Sequence, residues 1–361
     1  MAAGTVLTAG DQSVVLIGHR ALVVWRADEV ELHLELAIQG SAPEVFWIFA
    51  VPSPPTIANG DSAVFDELQV LTAPEIGLGL PSSSTGCDAP PTQSGTETYR
   101  PDPPDSFDGA TQSVIPFTEV VAAATTEKLV TELEERGVPL TDEVIEDLQP
   151  YVDQRMTFVV GRIENLQGST PARVGPLVVS FARPASSSFP YSLGLARKAS
   201  ASMHPIQLYQ LAERRYRIYN YGSISFDRLA DAVRTRWTET GQTDYDATFD
   251  ALASDSGGRL SVTEFAADLS SRELPSALTG LLDEQATYLT RFYLRPRSEH
   301  LVDLVVRFGA DGPDEDGVSA VTSAAGKATG LGTPLWLVLL VSLGFGIKGH
   351  HRERPRQGRD V

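Results

Sequence analysis

The sequence predicts an α+β fold rich in antiparallel sheet, with short helices, followed by one C-terminal transmembrane helix. Three observations carry this expectation. Val30, Leu32, Leu34, Leu36 and Ile38 alternate with Glu29, Glu31, His33, Glu35 and Ala37, the period-2 pattern of a half-buried strand that leaves His33 on the wet face. Strand-like and helix-like segments then follow in mixed order, which argues for α+β. No charged residue occurs from Ala328 to Ile347, and a run of that length, at about 1.5 Å per residue, spans roughly the 30 Å of bilayer hydrocarbon.

Taken in order, Ser13 to Ile17 and Ala21 to Trp25 read as partner strands of the alternating one. Val45 to Val51 reads as a more deeply buried strand. Pro52, Pro54 and Pro55 end that sheet, because proline cannot donate to a central ladder. From Leu80 to Gln112 the composition shifts to Ser, Thr, Gly, Pro and Asp. Such a stretch cannot bury enough apolar surface to offset its ordering entropy, so a long mobile loop is expected over 80–112. A helix with Leu129, Val130 and Leu133 on one face stops at Gly137. A second opens at Thr141, with Asp142 and Glu143 where the dipole favours carboxylates, and turns Val144, Ile145 and Leu148 inward. Further strands are expected at Met156 to Ile163, Gly175 to Phe181, Ile206 to Leu211, Tyr216 to Tyr221, Thr287 to Leu294 and Leu301 to Phe308. These elements define an ectodomain over 1–308, divisible into 1–122 and 123–308. An acidic, small-residue tether (309–330), a membrane span (331–347) and a basic tail (348–361) follow.

Within the span, Pro334 suits the first turn and Trp336 an interface; Leu331, Leu340, Phe345 and Ile347 would contact lipid. Lys348, Arg352, Arg354, Arg356 and Arg359 follow it, which orients the tail to the cytoplasm and the ectodomain outward. The N-terminus has neither the basic nor the apolar region of a secretion signal, so a tail-anchored protein with its large domain in the cytoplasm is the alternative. The chain carries a formal charge of −18. Setting aside the segment from Leu331 leaves 24 basic against 45 acidic residues. That balance disfavours nucleic acid as a partner. Cys87 is the single cysteine, which excludes an intrachain disulfide and a cysteine-based metal cluster.

Phe249 to Leu269 mimics a calcium-binding EF-hand, with Asp255, Gly258, Leu260 and Glu264 at loop positions 3, 6, 8 and 12. Ala253 and Gly257 stand at positions 1 and 5, so two ligands are missing and a structural role is expected for Asp255 and Glu264. The histidines show no metal-binding spacing, and no nucleophile elbow, phosphate loop or dinucleotide fingerprint occurs. No cofactor is implied. Arg214, Arg215, Tyr216, Arg217, Tyr219 and Tyr221 form a basic and aromatic concentration. Alternation would set Arg215, Arg217, Tyr219 and Tyr221 on one face of a strand, as a partner-binding patch or as arginines paired with local carboxylates.

Several ordered segments together resemble the uncharacterised bacterial family catalogued as domain of unknown function 2330. They are Phe49 to Leu68 (FAVPSPPTIANGDSAVFDEL) with Thr72-Ala-Pro74, then Leu148-Gln-Pro-Tyr-Val152 with Met156 to Val160. Gly257 to Phe265 (GGRLSVTEF) follows, and then Tyr288-Leu-Thr-Arg291 leading to Asp303 and Phe308. The resemblance covers about residues 10 to 308. It implies an exported protein, often with a C-terminal membrane segment, and carries no catalytic residue. Many relatives hold further cysteines; this chain has only Cys87. The expectation is a non-catalytic, membrane-anchored extracytoplasmic scaffold or accessory subunit with protein partners at the membrane surface. The alternative is an extracytoplasmic, hydrolase-type enzyme whose site forms only in the fold.

Overall fold

The computed structural model describes residues 4–8, 12–78, 97–102, 107, 114–123, 125–138, 140–168, 170–184 and 190–308. The chain opens with β1 (Thr5–Thr8), β2 (Val14–Trp25), β3 (Glu29–Gly40), β4 (Ala42–Val51) and β5 (Thr56–Asn59), then α1 (Ala63–Thr72). Next come β6 (Ile76–Leu78), β7 (Glu97–Tyr99), β8 (Val114–Ile115), β9 (Glu119–Ala123), α2 (Thr126–Glu134) and α3 (Asp142–Asp153). Strands β10 (Thr157–Leu166), β11 (Ala172–Ala182), β12 (Pro190–Tyr191), β13 (Ile206–Ala212), β14 (Tyr216–Ile218) and β15 (Gly222–Ile224) follow. The last elements are α4 (Phe226–Thr240), α5 (Tyr245–Asp255), β16 (Leu260–Asp268), α6 (Ser276–Thr279), β17 (Tyr288–Leu294) and β18 (Leu304–Phe308).

Two sheets lie face to face between layers of helix. A nine-stranded sheet runs β15-β16-β17-β13-β2-β3-β11-β5, with β8 also on β11; a four-stranded sheet runs β1-β4-β10-β9. Between them lies the largest core, where Leu32, Leu34 and Leu36 of β3 meet Trp47, Phe49 and Val51 of β4 and Val159 of β10. Strand β4 is apolar at every position from Val45 because its other face is buried too: Phe46 and Ile48 pack with Leu129 and Leu133 of α2 and Leu148 of α3. On the far side of the large sheet, α1 and α6 cover Leu22, Tyr209 and Leu289, while α4 and α5 cover Leu260, Val262 and Tyr293. A smaller sheet, β12-β18-β14, adds Tyr216, Ile218, Leu304 and Val306 to the main core.

The fold is the sheet-rich α+β class that the alternation predicts, with several corrections. The two segments Ser13 to Ile17 and Ala21 to Trp25 are one strand, because a bulge between Leu16 and Gly18 lets β2 continue against β3. His33 is 5% exposed rather than wet: the alternate face of β3 is buried too. In α3, Thr141 caps through its Oγ1 as expected, but Leu148 and Tyr151 are the buried residues and Val144 and Ile145 are half-buried. Strand β14 stops at Ile218 and β18 begins at Leu304, both shorter than read from sequence. Helices α4 and α5 and strand β16 were not anticipated as such, although Ser225 and Asp244 cap the two helices through their side chains.

Strands from both sides of residue 122 share both large sheets, so 1–122 and 123–308 are not separate bodies. The described residues all fall within one compact unit. Part of the expected loop is built in: β6 and β7 pair as antiparallel strands, and Phe107 is 4% exposed. Cys87 lies outside the described residues. Among the described residues no helix is long and apolar enough to cross a membrane; the run from Leu331 to Ile347 and the basic tail lie outside them.

Candidate functional site

A row of polar side chains crosses the large sheet beneath α1. It forms because successive strands place a polar residue at neighbouring positions of the same face: Arg20 pairs with Glu35 across β2 and β3, and with Gln207 across β2 and β13; Tyr209 pairs with Arg291 across β13 and β17. At one end Glu35 holds two arginines. Arg20 Nη2 lies 2.5 Å from Glu35 Oε1 and Arg173 Nη2 lies 2.9 Å from Oε2. Both guanidinium groups also reach Asp66 Oδ1 of α1, at 3.4 and 3.1 Å. The Arg20 guanidinium sits 5.1 Å from the ring of Phe65 and 4.8 Å from that of Phe107, within cation–π range. At the other end Arg291 Nε lies 2.6 Å from Glu264 Oε2, and its Nη1 donates to Thr72 Oγ1 at 3.2 Å. Gln207 donates to Gln69 between them.

Apart from Asp66 and Gln69 on α1, these charges are sealed: Glu35 is 0% exposed and Arg20 1%. An unpaired charge there would be prohibitively costly, and the pairing removes that cost. Burial works against the charge of Arg173, yet its bonds to Glu35 and then Asp66 hold its proton more tightly than usual. Burial and then Glu264, which accepts from its hydroxyl, push the Tyr245 phenol well up. The row therefore pins α1 directly to four strands, β2, β11, β13 and β17.

Beside it, at the start of α5, lies a cavity of about 460 Å³ lined by Tyr99, Asp102, Tyr245, Asp246, Asp250 and Arg295. Arg295 Nη1 bonds Asp250 Oδ2 at 2.7 Å and lies 3.4 Å from Asp246 Oδ2. The Tyr293 hydroxyl donates to Asp246 Oδ1 at 2.7 Å. Burial raises the Asp250 carboxyl above its ordinary range, and Arg295 opposes that shift.

The two EF-hand positions do not converge. Asp255 ends α5 and is exposed, whereas Glu264 is inside, on β16, committed to Arg291 and Tyr245. Gly257 and Gly258 adopt φ of +74° and +80°; Gly258 N–H caps Ala253, and the chain then runs into a strand instead of a second helix. Among the described residues no group of three or more His, Cys, Asp or Glu could hold a metal ion. The expected patch is divided. Arg215 and Arg217 are half-buried and Tyr219 is exposed, but Tyr221 is 4% exposed with its hydroxyl 3.4 Å from Val302 N. The reason is that β14 ends at Ile218, so alternation no longer governs Tyr221. Sequence reasoning also missed the charged row. Part of its signal is present, as single charged residues within otherwise apolar strands at Arg20, Arg173 and Arg291; Glu35 is one of three glutamates in the alternating strand β3. The isolated histidines His19 and His204 meet as well, Nδ1 to Nε2 at 2.8 Å, both fully buried.

Fold and site define a sheet-rich α+β protein whose interior charges are paired across strands. A family model described as an uncharacterized protein conserved in bacteria, domain of unknown function 2330, matches residues 1–302, and the chain belongs to this family. No curated protein matches the sequence. Among solved structures, the crystal structure of baculovirus P35 is similar at 10% identity over 84% of this chain and 99% of that one, with a TM-score of 0.33. A likeness that loose transfers neither fold nor function.

The segments that carry the family resemblance meet in two places. Asp66, Thr72, Glu264 and Arg291 all belong to the charged row. Tyr151 of α3 and Asp303, just before β18, form the second meeting: the phenol donates to Asp303 Oδ1 at 2.7 Å, and Gly194 N–H donates to the same oxygen at 2.8 Å.

Proposed function

We propose that this chain is a membrane-anchored extracytoplasmic scaffold or accessory subunit, without catalysis of its own, that presents a rigid domain to protein partners at the membrane surface. The observation that carries the reading is the sealed charged row. Its arginines and carboxylates are committed to one another and to α1, an arrangement that fixes strand register and helix position and suits a rigid presenting surface. The apolar run from Leu331 to Ile347, followed by five basic residues, supports anchoring with the tail inside.

The test is cellular. The full chain should sediment with membranes and come off only with detergent, and protease added to intact cells should digest the large domain. Protection of that domain until the cells are lysed would place it in the cytoplasm and end the extracytoplasmic reading. A second reading, a hydrolase-type enzyme, is favoured by the raised Asp250 carboxyl in the α5 cavity, since a carboxyl displaced in this way is a candidate general acid. On the scaffold reading Asp250→Asn leaves partner binding intact; loss of a hydrolytic activity in that variant would favour the enzyme.

A further inference from the structure

We infer that the outer face of β14 and β18 is a docking surface for the phosphate headgroups of an anionic membrane. The inference rests on the membrane-anchored reading above and adds which side of the domain meets lipid. Arg217 of β14 stands directly opposite Arg307 of β18 in antiparallel register, so the two guanidinium groups share one face. Their neighbours Tyr216, Ile218, Leu304 and Val306 belong to the main core on the other face. Arg307 is exposed, 5.4 Å from the ring of Tyr219, which is 51% exposed. Arg217 is half-buried, and among the described residues its Nε has no hydrogen-bond partner. Arg214 and Arg215 bring further positive charge to the start of the strand, each with a contact of its own.

Arg20, Arg136, Arg162, Arg173, Arg291 and Arg295 meet carboxylates, whereas Arg217 and Arg307 face each other. Like charges set opposite each other across a strand pair destabilise a sheet, and with 47 acidic residues in the chain this opposition stands out. An external phosphate relieves it, because its oxygens accept charge-assisted hydrogen bonds from both guanidinium groups. The source of phosphate follows from the chain. Strand β18 ends at Phe308, and 22 residues separate it from Leu331, a reach on the order of 25 Å for a random coil. This face thus leads toward the membrane-facing end of the sequence. An anionic bilayer repels the acidic remainder and attracts this face, so the field orients the domain.

The test uses the full chain reconstituted into vesicles of neutral phosphatidylcholine, or of phosphatidylcholine with phosphatidylglycerol, read by flotation and by hydrogen exchange of the amides of β14 and β18. Exchange should slow several-fold in the anionic vesicles, and the difference should vanish in high salt. Arg217→Glu should abolish it while raising the melting temperature by about 1–2 °C through a cross-strand ion pair with Arg307. Arg307→Gln should also abolish it, and the Arg217→Lys, Arg307→Lys double variant should keep most of it. Flotation with both vesicle types but equal exchange in each overturns this docking surface alone, as does protection that survives Arg217→Glu and Arg307→Gln. Failure to float with either type overturns the anchor and the docking surface together.

Discussion

On one face of the nine-stranded sheet, Leu32, Leu34 and Leu36 of β3 pack against Trp47 and Phe49 of the facing sheet. On the other, Glu35 of the same strand lies between Arg20 and Arg173. Both faces are buried, but by different physics. Apolar burial is non-directional and tolerates repacking. A carboxylate between two guanidinium groups has directional bonds, and a one-residue slip of β3 would turn Glu35 into the apolar core. The apolar face supplies most of the driving force, and the polar face specifies which strands lie where.

Breaking the polar face should be the most damaging single change. Glu35→Ala leaves two guanidinium groups buried without their main partner and should cost about 3–5 kcal/mol in denaturant unfolding. Replacing the set together, as Arg20→Met, Glu35→Leu and Arg173→Met, should recover most of that loss, since apolar side chains need no desolvation of charge. If the triple variant is no better than Glu35→Ala, specific pairing is not what this face contributes. On the apolar side Leu36→Ala should cost about 3 kcal/mol, through lost burial and a cavity between the sheets.

Acid separates the faces more sharply. His19 stands opposite Leu36 in register, on the apolar side, and its imidazole meets that of His204. Burial lowers both, His19 further through its neighbour, and His204 is pushed down to about 4. Below pH 6.5 the unfolded chain therefore takes up protons that the folded one refuses. Stability is full above that value and falls as pH drops towards 4, by about 3 kcal/mol through His204 alone and further through His19. Urea titrations at pH 7 and pH 4.5 check this, and a His19→Leu, His204→Leu double variant should lose less on acidification. The smallest expected effect is at α1: Thr72→Val removes the hydroxyl that accepts from Arg291 and should cost about 1 kcal/mol.

The sequence pattern carries the alternation of β3 and the deep burial of β4, because both follow from side-chain periodicity alone. It misplaces His33 because alternation distinguishes two faces without saying what covers them; here α1, far along the chain, covers the polar one. The charged row was hidden for the same reason. Arg20, Arg173 and Arg291 each look like an isolated charge in a strand, Glu35 looks like one more polar residue of an alternating strand, and only strand order makes them neighbours. Tyr221 failed where the strand ended three residues before the pattern did, an outcome set by backbone and not by side-chain type. The EF-hand likeness failed at Gly257 and Gly258, whose positive φ values end α5 and send the chain into β16.

Strand β18 has a mechanical consequence. It is the middle strand of its small sheet, antiparallel to β12 on one side and β14 on the other, and Asp303 at its head is tied to Tyr151 and Gly194. Tension applied to the chain beyond Phe308 and directed along the strand would load both ladders in shear, the two residue pairs with β12 and the three with β14 together, instead of unzipping them one by one. The knot at Asp303 would carry the remainder to α3. The domain is thus built to bear a pull from its C-terminal side without surrendering its last strand first.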